Sequence, residues 1–304
     1  MFNNELTLQF TDDEYHGDID GGHTYMIINE NGGSLERGKQ YVKIEILTGV
    51  ESIFQDLAAA RNTSTQVQDK SIAELENKFD IIKAVLFAPD SPLKSKIYFK
   101  ENDAGDVDVA DLIAILSMFN LKQYSSREDA PVGSYSGKKK CVDNYIAEYD
   151  QNGLSIENPF VKMQHIMMDI LELHDLIEEN MERFYKDKVA SGRYGSVKGV
   201  GIKNEKNKDL FRSKFFQREL DYITPNGFVY PILGAFRALL KVGADGYYEW
   251  KKDPKELLMR TGAELVFTTI DRSRSLGNNP QSVGKDSGNW KQLYQTVLLA
   301  SFDE

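Results

Sequence analysis

Cysteine is nearly missing from this chain. Cys141 is the one thiol in 304 residues, so an intramolecular disulfide framework and a cysteine-rich zinc site are both excluded. A cationic excess is missing too: 37 Lys and Arg stand against 47 Asp and Glu, a net charge of −10. No global positive field therefore draws the chain to nucleic acid or to an anionic membrane, and any phosphate contact must be local. No apolar run approaches the roughly 18 residues of a membrane span. The opening MFNNELTLQF has neither a basic leader nor a hydrophobic signal core, which leads us to expect a soluble, cytoplasmic protein without a membrane partner.

Signature motifs are lacking as well. There is no Walker A lysine, G-x-S-x-G elbow, HExxH or CxxC pair, and NDAGDVDVAD lacks the register of a calcium loop. The familiar nucleotide-hydrolase, protease and zinc classes lose support. Four histidines occur, at 16, 23, 165 and 174. At about 100° per residue the last two fall on opposite sides of one helix and cannot chelate together, so no metal site is expected.

What remains, 41% apolar and 11% aromatic, is enough for one large domain or two smaller ones. ELTLQF alternates like a strand, and YVKIEIL (41–47) places Val42, Ile44 and Ile46 on one face as a second strand candidate. Val50, Ile53, Phe54 and Leu57 then follow helical spacing to about Arg61, and Ile72, Leu75, Phe79 and Ile82 repeat it. A short strand is expected at KIYFK and a helix at DVADLIAILSMF. The longest expected helix runs over NPFVKMQHIMMDILELHDLIEENMERFYKD, with Asn158 and Pro159 marking its start. Beyond a Gly- and Lys-rich segment at 191–209, the best candidate for mobility, come YPILGAFRALL, a helix opened by Asp253 and Pro254, and NWKQLYQTVLLA with Trp290, Leu293, Tyr294 and Val297 on one face. The fold class is α+β: a small mixed domain over 1–130, then a predominantly helical region over 131–304.

Four stretches could carry chemistry. In DIDGGHTYMIIN the glycines allow close backbone approach, His23 and Thr24 can point at a ligand, and free amides at the start of a following helix attract an anion. A tight strand-to-helix turn capped by His23 accounts for the same residues more simply. AARNTSTQVQDKS (59–71) holds Arg61, Asn62 and Lys70; helix capping explains Asn62, and explains Arg61 and Lys70 less well. YSGKKKC is a basic run that is usually a solvated face. IDRSRSLGNNPQSVGKDSGNW offers Arg272, Arg274 and Lys285 in a connection long for a simple loop.

In order along the chain, IDGGHTY, YVKIEILTG, AARNTSTQVQDKSIAELENKFD, YSGKKKC, PNGFVYPILGAFRALL and SLGNNPQSVGK resemble the abortive-infection phage-resistance family, AIPR, of bacterial genomes, from about residue 15 to 298. Members of that family carry further sequence ahead of the turn, and this chain starts almost upon it. That implies a truncated or divergent member. The turn alone is also similar to the DGQHR proteins of DNA-modification systems and to the G-x-H-R turn of the ParB/sulfiredoxin-like fold, whose members bind nucleotide phosphates there. Asp20, Gly21 and His23 match that motif, while Thr24 stands where it has arginine, removing the guanidinium clamp.

These resemblances imply an antiphage-defence protein with a ParB/sulfiredoxin-like N-terminal part. Its site would comprise Asp20 and His23 as catalytic groups and Gly21, Gly22, Thr24, Arg61, Asn62, Lys70, Arg272 and Lys285 as ligand contacts. A nucleoside triphosphate with magnesium is the cofactor to test there. If the site reacts, phosphate chemistry is the class implied. The rival is a non-enzymatic protein that recognises nucleic acid or a phage component through the basic stretches at 135–140 and 191–208.

Overall fold

The computed structural model describes residues 7, 22–34, 41–48, 73–74, 76–89, 91–100 and 105–302. The chain divides into two compact units, Met1–Asp69 and Lys70–Glu304, each considered by itself.

In the first unit a helix spans Gly22–Asn31 and runs into a single 3-10 turn, Gly32–Ser34. The side chains of Tyr25, Met26, Ile27 and Ile28 on this helix are exposed. The strand expected at 41–47 does not form: residues 41–48 carry no ladder, and Val42, Ile44 and Ile46 are all exposed. Alternation specifies a strand only where a neighbouring strand accepts its hydrogen bonds and one face is covered. ELTLQF, apart from Thr7, and the expected helix from Val50 to Arg61 lie outside the described residues.

The second unit is mostly helical, and its core runs from Ala73 to Val297 and takes in nearly all of its buried apolar residues, Phe211 and Leu220 being buried outside it. The helical spacing expected over SIAELENKFDIIKAVL is interrupted, with Ala73 and Glu74 helical and turns at 76–79. Turns precede a helix at Asp80–Leu86, whose Ile82 packs with Phe79 in the core. KIYFK contributes β1 (Ile97–Tyr98), paired in parallel with β2 (Val107–Asp108). Asp108 then caps the next helix, Val109–Ser117, by accepting from the Ala110 N–H.

The basic run at 138–140 opens a helix, Lys138–Asn152, which ends at Gly153, where φ of +53° suits a residue without Cβ. Asn158 and Pro159 start a helix as expected: the Asn158 side chain accepts from the Phe160 N–H at 2.9 Å and donates to the Gly153 carbonyl. That helix, however, stops at Lys162. The long helix read over 158–187 is therefore two, Pro159–Lys162 and Met167–Lys188. Short-range bonds from Gln164 N–H to the Val161 carbonyl and from Ile166 N–H to the Met163 carbonyl carry the chain between them. The break keeps Met163, Ile166 and Met167 buried, so the apolar period survives it, and His165 is left outside, stacked on Tyr247 at 4.2 Å.

The Gly- and Lys-rich segment holds β3 (Gly201–Ile202), antiparallel to β4 (Tyr222–Ile223). Helix Asn226–Ala235 continues through a 3-10 turn into β5 (Leu240–Val242), antiparallel to β6 (Tyr248–Trp250). Helix Pro254–Ser275, capped by Asp253 through the Lys255 and Glu256 amides, packs along Met167–Lys188. Short helix Pro280–Lys285 and the last helix, Ser287–Ala300, pack against Asn226–Ala235. Trp290 is fully buried and donates from Nε1 to the Gly284 carbonyl at 2.9 Å. The α+β class therefore stands, with short two-stranded ladders and mostly helix. No ParB/sulfiredoxin-like sheet is seen among the described residues. None of the helices searched among the described residues is long and apolar enough to cross a membrane.

Candidate functional site

Of the residues singled out around the glycine–histidine turn, Gly22 and His23 begin the helix Gly22–Asn31 and Thr24 is exposed on it. Asp20, Gly21, Arg61, Asn62 and Lys70 lie outside the described residues. The first turn of a helix has amide groups without intrahelical acceptors, and here those amides belong to Gly22, His23 and Thr24. Arg272 and Lys285 belong to the second unit. Arg272 sits in the last turn of Pro254–Ser275 and bonds from Nε to the Asp286 carboxylate, and that carboxylate in turn caps the final helix through the Gly288 and Asn289 amides. Lys285 ends its helix and is exposed.

The best-formed polar cluster in the second unit escaped the sequence reading. His174, Asp175 and Glu178 share one side of Met167–Lys188, and the ligand atoms of the three lie within 4.8 Å of one another. His174 and Asp175 are fully buried, and Glu178 stands at the rim with 11% of its side chain exposed. His174 Nδ1 is 3.1 Å from Asp175 Oδ1 and 3.6 Å from Glu178 Oε2. Its ring packs edge-on against Phe215 and Tyr230, and Nε2 is buried without a hydrogen-bond partner.

A turn at 213–218 closes over these groups. Asp175 Oδ2 accepts from the Ser213 hydroxyl at 2.6 Å and the Phe216 N–H at 2.6 Å, and the Phe215 N–H reaches both carboxylate oxygens at 3.1 and 3.2 Å. Ser213 Oγ itself accepts from the Arg218 N–H at 2.8 Å. Glu178 Oε2 accepts from the Lys214 N–H at 3.3 Å, while the Lys214 ammonium bonds to Asp111, which also holds Lys138.

Burial pushes the Asp175 carboxyl upward, but the His174 ring, the Ser213 hydroxyl and the Phe216 amide outweigh it and hold the group below the usual carboxylate range. Glu178 has less support, and burial raises its carboxyl above that range. Two carboxylates and an imidazole thus face one another in a site where the protein supplies amide and hydroxyl donors to one acid and little to the other. The spacing H-D-x-x-E was visible in HDLIE as a same-face set on a helix. Nothing local indicated that a turn some 38 residues later would enclose it.

The structure thus defines a mostly helical α+β protein carrying a buried His–Asp–Glu cluster. A family model described as AIPR protein matches residues 8–280, and the chain belongs to that family. Neither the curated proteins nor the solved structures gave a match. Membership in AIPR points to antiphage defence by abortive infection.

Proposed function

We propose that this chain acts in the cytoplasm as an abortive-infection protein whose glycine–histidine turn holds a nucleotide or another phosphate-bearing ligand. The observation that carries this reading is the position of the helix Gly22–Asn31, which opens on the turn itself. The first amides of a helix, which lack intrahelical acceptors, and the favourable end of its dipole suit an anion. In this reading Gly21 and Gly22 would admit close approach, Asp20 would orient His23, and His23 would exchange the proton if the ligand reacts. Arg61, from the same unit, would substitute for the arginine that Thr24 replaces.

The rival reading, a nucleic-acid surface along the basic stretches, is weakened by their pairing. Lys138 bonds to Asp111, Lys203 to Glu219 and Lys208 to Glu205, and a cation already held by a carboxylate is less available to neutralise a phosphate.

The test is thermal unfolding of the full chain against nucleoside triphosphates, short DNA and short RNA, with and without magnesium, for wild type and His23→Ala. A ligand that binds the folded state at 100 times its Kd adds about 2.7 kcal/mol, which is about 4 °C for a chain of this size at an unfolding entropy of roughly 2.1 cal/mol/K per residue. The expected result is a salt-insensitive shift with one nucleotide that His23→Ala abolishes. No shift with any ligand would return the turn to a structural role.

A further inference from the structure

The His174–Asp175–Glu178 cluster is independent of the turn in every residue, and its geometry poses a charge problem. Two buried or nearly buried carboxylates face a single imidazole. The nearest lysine directs its ammonium to Asp111 and gives the cluster only a backbone N–H. His174 Nε2 is buried without a hydrogen-bond partner, and Nδ1 is the ring nitrogen that faces both carboxylates.

We propose that His174 Nδ1, one oxygen of Asp175 and one of Glu178 bind a divalent transition-metal cation. A cation about 2.1 Å from each of its donors sets neighbouring donors about 3.0–3.4 Å apart, depending on geometry. The distance from Nδ1 to Asp175, 3.1 Å, falls within that range, the distance to Glu178, 3.6 Å, lies just beyond it, and the three donor atoms are all within 4.8 Å of one another, so a cation would draw the partly exposed Glu178 side chain inward. With the cation at Nδ1 the imidazole stays neutral and the charge of the site sums to zero.

The surroundings have the features that accompany ligating residues. The Ser213 hydroxyl and the Phe215 and Phe216 amides fix the Asp175 carboxylate, and such outer partners orient a ligand. Phe215 and Tyr230 wall the ring. The partial exposure of Glu178 opens one side, through which a cation enters and at which water or a substrate oxygen completes the coordination. One nitrogen and only three protein donors fit manganese or zinc better than calcium or magnesium, which take all-oxygen sets.

The experiment uses the full chain, stripped with a chelator and dialysed, then melted against Mn2+, Zn2+, Mg2+ and Ca2+. Wild type is compared with Glu178→Gln, which keeps the side-chain shape and removes a charged ligand. His23→Ala, in the other unit, serves as a control outside this cluster. The expected result is a shift with Mn2+ or Zn2+ that reaches about a hundredfold change in the folding equilibrium at 100 times Kd. It persists in His23→Ala and falls at least tenfold in affinity in Glu178→Gln. No shift in wild type with any of the four cations overturns the proposal, as does equal affinity in a folded Glu178→Gln. If Glu178→Gln does not fold, Ser213→Ala decides: removal of an outer partner weakens metal binding about 10–100-fold, and unchanged affinity overturns the assignment.

Discussion

Replacing Asp175 with alanine in chelator-treated protein is the sharpest test of what holds the 213–218 turn onto the helical unit. The substitution removes an acceptor from three donors at once: the buried Ser213 hydroxyl and Phe215 amide and the half-buried Phe216 amide. A buried donor left unsatisfied costs about 1–3 kcal/mol. The three share one carboxylate and are not additive, so the loss should come to about 3–5 kcal/mol, the range for breaking a buried charged network. Against a total stability of roughly 5–15 kcal/mol, that is a large fraction. Urea unfolding followed by tryptophan fluorescence suits the measurement, since both tryptophans, Trp250 and Trp290, lie in this unit. Ser213→Ala should cost less, about 1–2 kcal/mol, and the double variant should fall short of the sum of the two by about 1 kcal/mol because the residues share a bond. A loss below about 1 kcal/mol in Asp175→Ala, or strict additivity with Ser213→Ala, would refute the reasoning: the donors would then be reaching water, and the turn would be held by something else.

Two further outcomes follow from the packing and charge of the same unit. A Cβ on Gly227 would lie 2.1 Å from the Pro280 carbonyl oxygen, a backbone atom that cannot swing aside, so Gly227→Ala should force Asn226–Ala235 away from Pro280–Lys285 and lower stability by about 1–3 kcal/mol; an unchanged melting temperature would contradict that contact. For Asp111, burial pushes the carboxyl upward, but Lys214 and Lys138 outweigh it and hold it below the usual carboxylate range. A depressed folded value means that the stabilisation is complete above the unfolded value of about 3.9 and is lost as pH falls through the folded one. Asp111→Asn should therefore be less stable than wild type at neutral pH, with the gap closing in acid, and a pH-independent gap in urea titrations would rule out the ion pairs as its source.

Local signals were legible wherever the physics is local. Asn158 with Pro159 and Asp253 with Pro254 mark helix starts because a short side chain satisfies the first amides and proline needs no acceptor there. Trp290, Leu293 and Val297 form the buried stripe of the last helix because spacing alone puts them on one side. Family membership was legible too, since it rests on ordered segments of sequence. The candidate site at the turn was read from residue types, of which the described structure includes the helix that begins at Gly22.

Other features had no local cause. The apolar period through Met163, Ile166 and Ile170 continues across a chain that is broken at 163–166, because turn residues can bury the same side chains that a helix would. The alternation at 41–47 does not make a strand without a partner. HDLIE is an ordinary helical pentapeptide by its sequence. It becomes a charged, enclosed site only where Ser213, Phe215 and Phe216 bring their donors to Asp175. Periodicity and caps are fixed by neighbours in the chain, whereas burial and hydrogen-bond partners come from groups tens of residues away, and these the tertiary structure alone decides.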